Sequence, residues 1–515
     1  MAEGKEPAGF VESGARRMTS EEVRQRALRL ATGLSSLGVG EGDCVALLLR
    51  NDIPFLETLL AAARIGAYAV PIDWHCSANE LAAALALVRA KALVAHADLL
   101  NGRGSAAPRE TAVLWAPTPT EIAQAYGIAE DARSPPPGAL VWEEWLDRHA
   151  AWSEPARPPP GRMTLTSGTT GRPKAVRRAP IAPSLGKAYG ELVDQWFGNR
   201  SGMRTAIVGP LYHSVQSIYA MAALRQADAL FLPAKFSAEG LLKIIETERI
   251  THLNLVPIMM IRLLQLPDAV RARYDVSSLE FVIHGAAPCP PVVKSGMIKW
   301  WGPVLHEYYG TTEAGMMTRA SSQDWLARPG TVGKAWPGRV LRILDKDGRD
   351  LPPRGEGEIC ASLDLLPDFT YVGDDAARAA IAREGLVASG DIGFLDEEGY
   401  LFVCDRKKDM VVSGGVNIYP TEIEAALLAH PGVADCAVFG IPSAEYGETL
   451  MAVVEPRGEK APETEALRAH LLERLASFKA PRHYEFRREL PRDDSGKIRK
   501  QALRAPYWER TERRI

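Results

Sequence analysis

Leu165-Thr166-Ser167-Gly168-Thr169-Thr170-Gly171-Arg172-Pro173-Lys174 is the stretch on which the reading of this chain turns. Hydroxyl-bearing residues alternate with glycines, then a proline stiffens the backbone ahead of a lysine. Glycine lets main-chain N–H groups come close to phosphate oxygens, hydroxyls donate further hydrogen bonds, and lysine adds a point charge. The common nucleotide loop reads G-x-x-x-x-G-K-[ST]. Here Gly171 is followed by Arg172-Pro173, and no Ser or Thr follows Lys174, so this phosphate-gripping loop is of another kind. A plain surface turn would share its composition; the parts that accompany it elsewhere in the chain argue against that.

Upstream of the loop, Thr19-Ser20-Glu21-Glu22 reads as a capping box. Val23, Ala27, Leu30, Leu34 and Leu37 then recur at helical spacing up to Gly38. Residues 44–49 form a wholly apolar run of the buried parallel type, Pro54 opens a second helix that closes near Gly66, and residues 68–72 read as the next strand. That is a βαβ unit. Residues 107–162 are less regular, and the breakers Pro135-Pro136-Pro137-Gly138 and Pro158-Pro159-Pro160-Gly161 within them are expected to be connectors between subdomains. Downstream, strand-like runs at 205–208, 229–232, 252–256 and 281–283 alternate with helical patterns. From about Asp405 the style changes: a helix from Pro420 to about Leu428, strands at 433–439 and 451–455, and an amphipathic helix at 463–476.

The fold class expected is therefore α/β. A large N-terminal region of several subdomains, with mixed and parallel sheets, precedes a small α+β C-terminal domain. The 515 residues suffice for several cores, and 46% apolar and 24% charged residues are ordinary globular values. A formal net charge of −3 leaves no footprint for nucleic acid. Six scattered cysteines, with no C-x-x-C, point to a reducing compartment and no structural zinc. No signal-peptide core, transmembrane run or C-terminal targeting tripeptide is evident, so a cytoplasmic, soluble protein is expected.

Five further elements accompany the loop. Gly285-Ala286-Ala287-Pro288 follows the strand at 281–283, and small residues at a strand's carboxyl end let a flat ring approach the backbone. Glu307-Tyr308-Tyr309-Gly310-Thr311-Thr312-Glu313 combines a stacking face, a close backbone approach, hydroxyls and an oxygen ligand for Mg²⁺. Ser389-Gly390-Asp391, with Asp405-Arg406 after an acidic turn, offers a carboxylate for a ribose diol. Ser413-Gly414-Gly415 lets backbone pass close to something narrow, although a plain turn explains it equally. Leu490 to Lys500 carries Lys497 on a Gly-hinged turn, which alone would read as a solvated basic tail.

In order and spacing, these elements resemble the adenylate-forming superfamily of acyl-CoA synthetases, peptide-synthetase adenylation domains and luciferases, from about Val23 to Leu503. The resemblance implies a two-step reaction using ATP, Mg²⁺ and coenzyme A. Residues 1–404 would form the adenylating body, 405–408 a hinge centred on Lys408, and 409–515 a mobile cap. By position, Thr166, Ser167, Gly168, Thr169, Thr170, Gly171 and Lys174 would hold the β- and γ-phosphates. Tyr309 would pack on adenine beside Gly285, Ala286 and Ala287, Thr312 would touch the α-phosphate, and Gly310 and Thr311 would belong to the same nucleotide site. Glu313 and Thr169 would serve Mg²⁺, Asp391 and Arg406 the ribose. Lys497 would bridge carboxylate and α-phosphate, and rotation at Lys408 would replace it by Ser413, Gly414 and Gly415 lining a pantetheine tunnel. His213 would border the acyl site, with Val215, Ser217, His284, Gly310 and Met316 as candidate pocket residues.

The acid selected by a peptide-synthetase domain would need an acidic residue near Tyr212-His213-Ser214-Val215-Gln216, and that stretch has no Asp. A stand-alone CoA ligase is the first choice. Its expected substrate is a medium- or long-chain fatty acid or a bulky aryl or alicyclic acid, as implied by the resemblance of Trp300-Trp301-Gly302-Pro303 and Ala314-Gly315-Met316-Met317 to synthetases for such acids. Met259, Met260, Met316 and Met317 would offer an adaptable apolar lining or serve equally as core fillers. Loading of a free-standing acyl carrier protein is the nearer rival, a luciferase-like oxygenase a remoter one, and a catalytically inactive nucleotide sensor the rival from another class. Monomer and homodimer are equally compatible with the chain.

Overall fold

The structure is a computed structural model that describes residues 9–101, 103, 107–166, 174–364, 366–413, 416–443, 445–492 and 497–508. The chain divides into two compact units. The first comprises Met1–Asn254, Asp268–Ile283 and Leu363–Ala380; the second comprises Leu255–Pro267, His284–Ser362 and Ile381–Ile515.

In the first unit, five parallel strands run in the order Tyr68–Pro71, Cys44–Leu48, Ala90–His96, Ala112–Ala116, Leu140–Val141. Val45, Ala46, Leu47, Leu48, Leu93, Val94 and Ala95 are wholly buried, as strands covered on both faces must be. The helix Ser20–Ser36 has the expected capping box: the Glu22 N–H donates to Thr19 Oγ1 at 3.1 Å and the Thr19 N–H donates to Glu22 Oε2 at 2.7 Å. A second group of parallel strands, His252–Leu255, Met203–Ala206, Ala227–Phe231 and Phe10–Ser13, ends in antiparallel Arg16–Thr19. Three antiparallel strands, Phe369–Tyr371, Lys174–Arg178 and Met163–Thr166, form a small third sheet. The less regular span 107–162 holds two strands and the helices Thr120–Tyr126 and Trp142–Asp147, and its two Pro-rich stretches, 135–138 and 158–161, lie outside them.

The helix expected to open at Pro54 begins one residue earlier, as Ile53–Arg64, because Asp52 caps it: the Ile53 N–H donates to Asp52 Oδ1 at 2.8 Å. Asp52 is buried, and it also accepts from Ser13 Oγ at 2.9 Å and Arg16 Nη2 at 2.6 Å, with His96 Nε2 at 3.2 Å. Burial alone would raise its carboxyl. The hydrogen bond and charge of His96, with Arg16, outweigh that and hold it at about 2. A carboxylate depressed in the folded state contributes stability above its unfolded pKa and loses it as pH falls from about 4 toward 2. Asp52→Asn should therefore cost on the order of 2 kcal/mol at pH 7. Urea midpoints measured from pH 7 to pH 3 should show the gap to wild type closing on acidification; a gap that stayed constant would show that the charge is not its source.

In the second unit, an antiparallel sheet runs Leu341–Leu344, Gly357–Ala361, Leu386–Leu395, Tyr400–Arg406, Gly333–Ala335, Gly315–Ser321, Leu305–Thr311. The C-terminal part forms its own sheet, Val416–Ile418, Val411–Ser413, Gly447–Pro456, Val433–Ser443, with His483–Phe486 parallel to Gly447–Pro456. Ile423 and Leu427 of the helix Pro420–Leu428 pack with Val438, Val454, Leu467 and Leu471 into a buried core. The helix expected over 463–476 is shorter, Thr464–Leu472. No helix of the described residues is long and apolar enough to cross a membrane.

Candidate active site

The phosphate loop is carried on two paired strands. Thr166 ends Met163–Thr166 and Lys174 opens Lys174–Arg178, and the two residues face each other in register. Residues 167–173, and with them Ser167, Gly168, Thr169, Thr170 and Gly171, lie outside the described residues. Lys174 Nζ stands 3.5 Å from Asp374 Oδ2 and 5.1 Å from the centre of the Tyr371 ring. Those neighbours come from a segment two hundred residues away, and nothing local in the sequence announces them.

Also in the first unit, His213 is the N-cap residue of the helix Ser214–Gln226 and its ring lies 4.3 Å from that of Tyr212. Val215 and Ser217 occupy the first turn. Ser217 is buried, and its Oγ donates to Ser214 O at 3.0 Å.

The nucleotide candidates gather in the second unit. A side chain at Gly285 would meet the Tyr308 ring and carbonyl oxygen at 2.6 Å, so only glycine fits against that tyrosine. Ala286 takes φ of +67°, a conformation that costs a non-glycine residue about 1 kcal/mol or more. On Leu305–Thr311 the register shifts between Tyr309 and Gly310, and a Cβ at Gly310 would fall 2.2 Å from Gly315 O. The bulge turns the strand, the Ala314 N–H donates to Thr311 Oγ1 at 2.9 Å, and Thr312 and Glu313 are left on the turn that follows.

Tyr309 Oη donates to Asp391 Oδ2 at 2.6 Å, although 82 residues separate them. Asp391 faces Arg406 across the paired strands, with Arg406 Nε 3.9 Å from Asp391 Oδ1. Burial pushes the Asp391 carboxyl above its ordinary value, while Tyr309 and Arg406 pull it down. Burial, with Asp391 next, raises the Tyr309 phenol well above its own. The structure thus joins Gly285, Tyr308, Tyr309, Asp391 and Arg406 into one connected set, with an acceptor pair suited to a diol beside an aromatic face.

His284 is fully buried, and neither ring nitrogen finds a partner among the described residues; burial, then Lys294 and His306, drives its pKa well down, so it is a neutral imidazole. Met316 is buried. Lys408 sits in the turn after Tyr400–Arg406, closed by the Asp409 and Met410 N–H groups on Arg406 O at 2.9 and 3.1 Å. Ser413 ends the strand Val411–Ser413; Gly414 and Gly415 lie outside the described residues. Lys497 is described and half-buried, one residue before the bridge of Ile498 with Arg492.

The sequence reading missed a buried ion pair behind this set. Lys294 Nζ, on the helix Pro291–Trp301, lies 2.5 Å from Glu307 Oε2, two residues before Tyr309; the two side chains are 0% and 8% exposed. Glu307 stands in the stretch singled out above, but no spacing rule pairs it with Lys294.

Comparison with known proteins agrees with this geometry. Residues 2–364 match the AMP-binding enzyme family and residues 422–497 match the AMP-binding enzyme C-terminal domain. The chain is 30% identical over 509 residues to a long-chain-fatty-acid–CoA ligase of Mycobacterium tuberculosis, covering 95% of this chain and 93% of the other. It is 32% identical over 507 residues to a feruloyl-CoA synthase of an Amycolatopsis species, covering 97% and 96%. The amide bond synthetase McbA of Marinactinospora thermotolerans superposes with a TM-score of 0.83 at 25% identity over 97% of each chain. Matched along its body and its C-terminal part alike, the chain belongs to the AMP-binding enzyme family, the adenylate-forming superfamily.

Proposed function

We propose that this protein is an AMP-forming carboxylic acid:CoA ligase that takes a medium- or long-chain fatty acid or a bulky aryl or alicyclic acid. The connected set Tyr309–Asp391–Arg406 carries the reading, because an aromatic ring, a carboxylate and a guanidinium held together are suited to a nucleoside, and the chain belongs to this family. The relatives named above, one acting on long-chain fatty acids and one making feruloyl-CoA, support both the thiol acceptor and the breadth of acid proposed.

In the first step a carboxylate oxygen attacks the α-phosphorus of ATP, and the bond to pyrophosphate breaks. In the second a thiol sulfur attacks the acyl carbon, the bond to AMP breaks, and the thiol proton is lost to solvent. The first step brings two anions together, so positioned cations and N–H dipoles carry the catalysis. Lys174 and the loop between its stems hold the terminal phosphates, Asp391 and Arg406 the ribose, and Lys497 the carboxylate against the α-phosphate. Glu313 and Thr169 would hold Mg²⁺, which would supply charge neutralisation at the phosphates. Residues 1–404 act as the body, 405–408 as the hinge and 409–515 as the moving cap, with His213 and Met316 bordering the acyl group. Six unpaired cysteines favour a reducing, cytoplasmic setting.

A panel of carboxylic acids offered with ATP and CoA, with holo-carrier protein and an amine as competing acceptors, tests this. AMP and a CoA thioester are the expected products. Thioester on the carrier alone would reassign the acceptor, and ADP in place of AMP would overturn the reaction.

A further inference from the structure

We propose that Lys500 and Glu424 are positioning residues for adenylation, setting where the loop that carries Lys497 stands relative to the helix that follows the hinge. The inference rests on the role of Lys497 proposed above.

The base of that loop is a closed structure. Arg492 and Ile498 form an antiparallel bridge, and the Arg499 N–H donates to Pro491 O at 2.8 Å. Leu490 and Leu503 are buried against Ala437, Phe439, Met451 and Val453, with Ile498 and Tyr507 packed beside them. One stem is tied by the ion pair of Arg492 with Asp435. The other is tied by Lys500, three residues after Lys497 and the first residue of the helix Lys500–Trp508, whose Nζ lies 2.7 Å from Glu424 Oε1. Glu424 is itself fixed, because the same oxygen accepts from the Val438 N–H at 2.6 Å.

The apolar contacts already hold the helix Lys500–Trp508 to the sheet, and an ion pair drawn out of water adds little net stability. What the Lys500–Glu424 pair adds is direction. Glu424 lies on Pro420–Leu428, the first helix after the proposed hinge, and that helix is in turn capped from the hinge side: the Thr421 N–H donates to Asp405 Oδ2 at 3.0 Å. Burial would lower the Lys500 ammonium's pKa, but Glu424 and Asp405 raise it, so the charge is kept at the junction. Pro420–Leu428 and the base of the Lys497 loop pack on the same strands and move together in any rotation, and the short bond sets the direction of the loop's second stem against that helix. Glu424 and Lys500 touch no substrate; they act through Lys497.

The test uses the full-length enzyme and the two half-reactions, pyrophosphate formation and thioester formation from supplied acyl-adenylate. A displacement of about 1 Å in a reacting group costs roughly 100-fold, so Lys500→Met should slow pyrophosphate formation by about 30-fold or more while leaving thioester formation within about threefold. Lys500→Arg should restore most of the first rate, and the isosteric Glu424→Gln should reproduce the split if Lys500→Met folds poorly. Equal loss in both half-reactions, or no loss, overturns the inference. Lys497→Ala run alongside separates the two ideas: if it loses adenylation and Lys500→Met does not, only the positioning role falls, whereas adenylation surviving in Lys497→Ala removes the underlying reading.

Discussion

Lys497→Ala should lose pyrophosphate formation by at least about 100-fold while thioester formation from preformed acyl-adenylate stays within about threefold of wild type. The asymmetry follows from where charge has to be neutralised. When the carboxylate approaches the α-phosphate, negative charge crowds onto oxygens that both partners share, and one preorganised donor in a water-poor site is worth about 3 kcal/mol there. In the second step the adenylate is already a neutral acyl group joined to a phosphate, and the attacking sulfur needs no cation between the two. Lys497 stands at the end of a loop whose base is closed by the Arg492–Ile498 bridge, so alanine at this position removes an ammonium and leaves the scaffold in place. Lys497→Arg should recover only part of the rate, because a planar fork does not reproduce a compact point charge. Rapid-quench measurement of pyrophosphate and of thioester decides the matter; equal loss of both would remove Lys497 from its proposed role.

Much of the architecture was legible because local chemistry and tertiary context agreed. Pro420 at the first helical position and the apolar pattern behind it predict a helix to about Leu428, and the helix is Pro420–Leu428. The Thr19–Glu22 capping box forms as its spacing requires. Where the reading failed, the signal was missing. The strand Ala90–His96 drew no reading at all: it meets the helix before it at Arg89, which takes φ of +50° with no glycine or proline to mark the break. The strands within 107–162 are short and sit among prolines, so the span shows no clear period in sequence, while burial of residues such as Leu114 and Ala116 makes sheet of it. The site divided along the same line. Residue types and order identified Tyr309, Asp391 and Arg406 as parts of one apparatus, yet their contact joins positions 82 residues apart, and only the folded chain shows that the phenol holds the carboxylate. Asp374 beside Lys174 and Lys294 beside Glu307 left no trace in any local pattern.

Lys294→Met should destabilise the second unit by about 3–5 kcal/mol, a cost that Lys294→Met combined with Glu307→Leu should largely recover. The ammonium is buried beneath the strand that carries Tyr309, 2.5 Å from Glu307 Oε2 and 5.4 Å from the centre of the Trp325 ring. Methionine keeps the shape of the lysine stem and removes only its charge, leaving a carboxylate among apolar groups with nothing to balance it. Burial already pushes the Glu307 carboxyl above its ordinary value and Lys294 opposes that, so without Lys294 it rises further and the folded protein takes up a proton. A carboxyl whose folded pKa lies above its unfolded one weakens folding as pH rises from the ordinary carboxylate range toward the folded value. The deficit of Lys294→Met should therefore be largest near neutrality and shrink as the pH falls toward 5. In the double variant both charges are gone, and with them the pH dependence. Urea denaturation of wild type, the single and the double variant at pH 5 and pH 7.5, followed by Trp fluorescence, provides the check. A double variant as unstable as the single one would mean that the site is sensitive to packing volume and that the pair's charge is incidental.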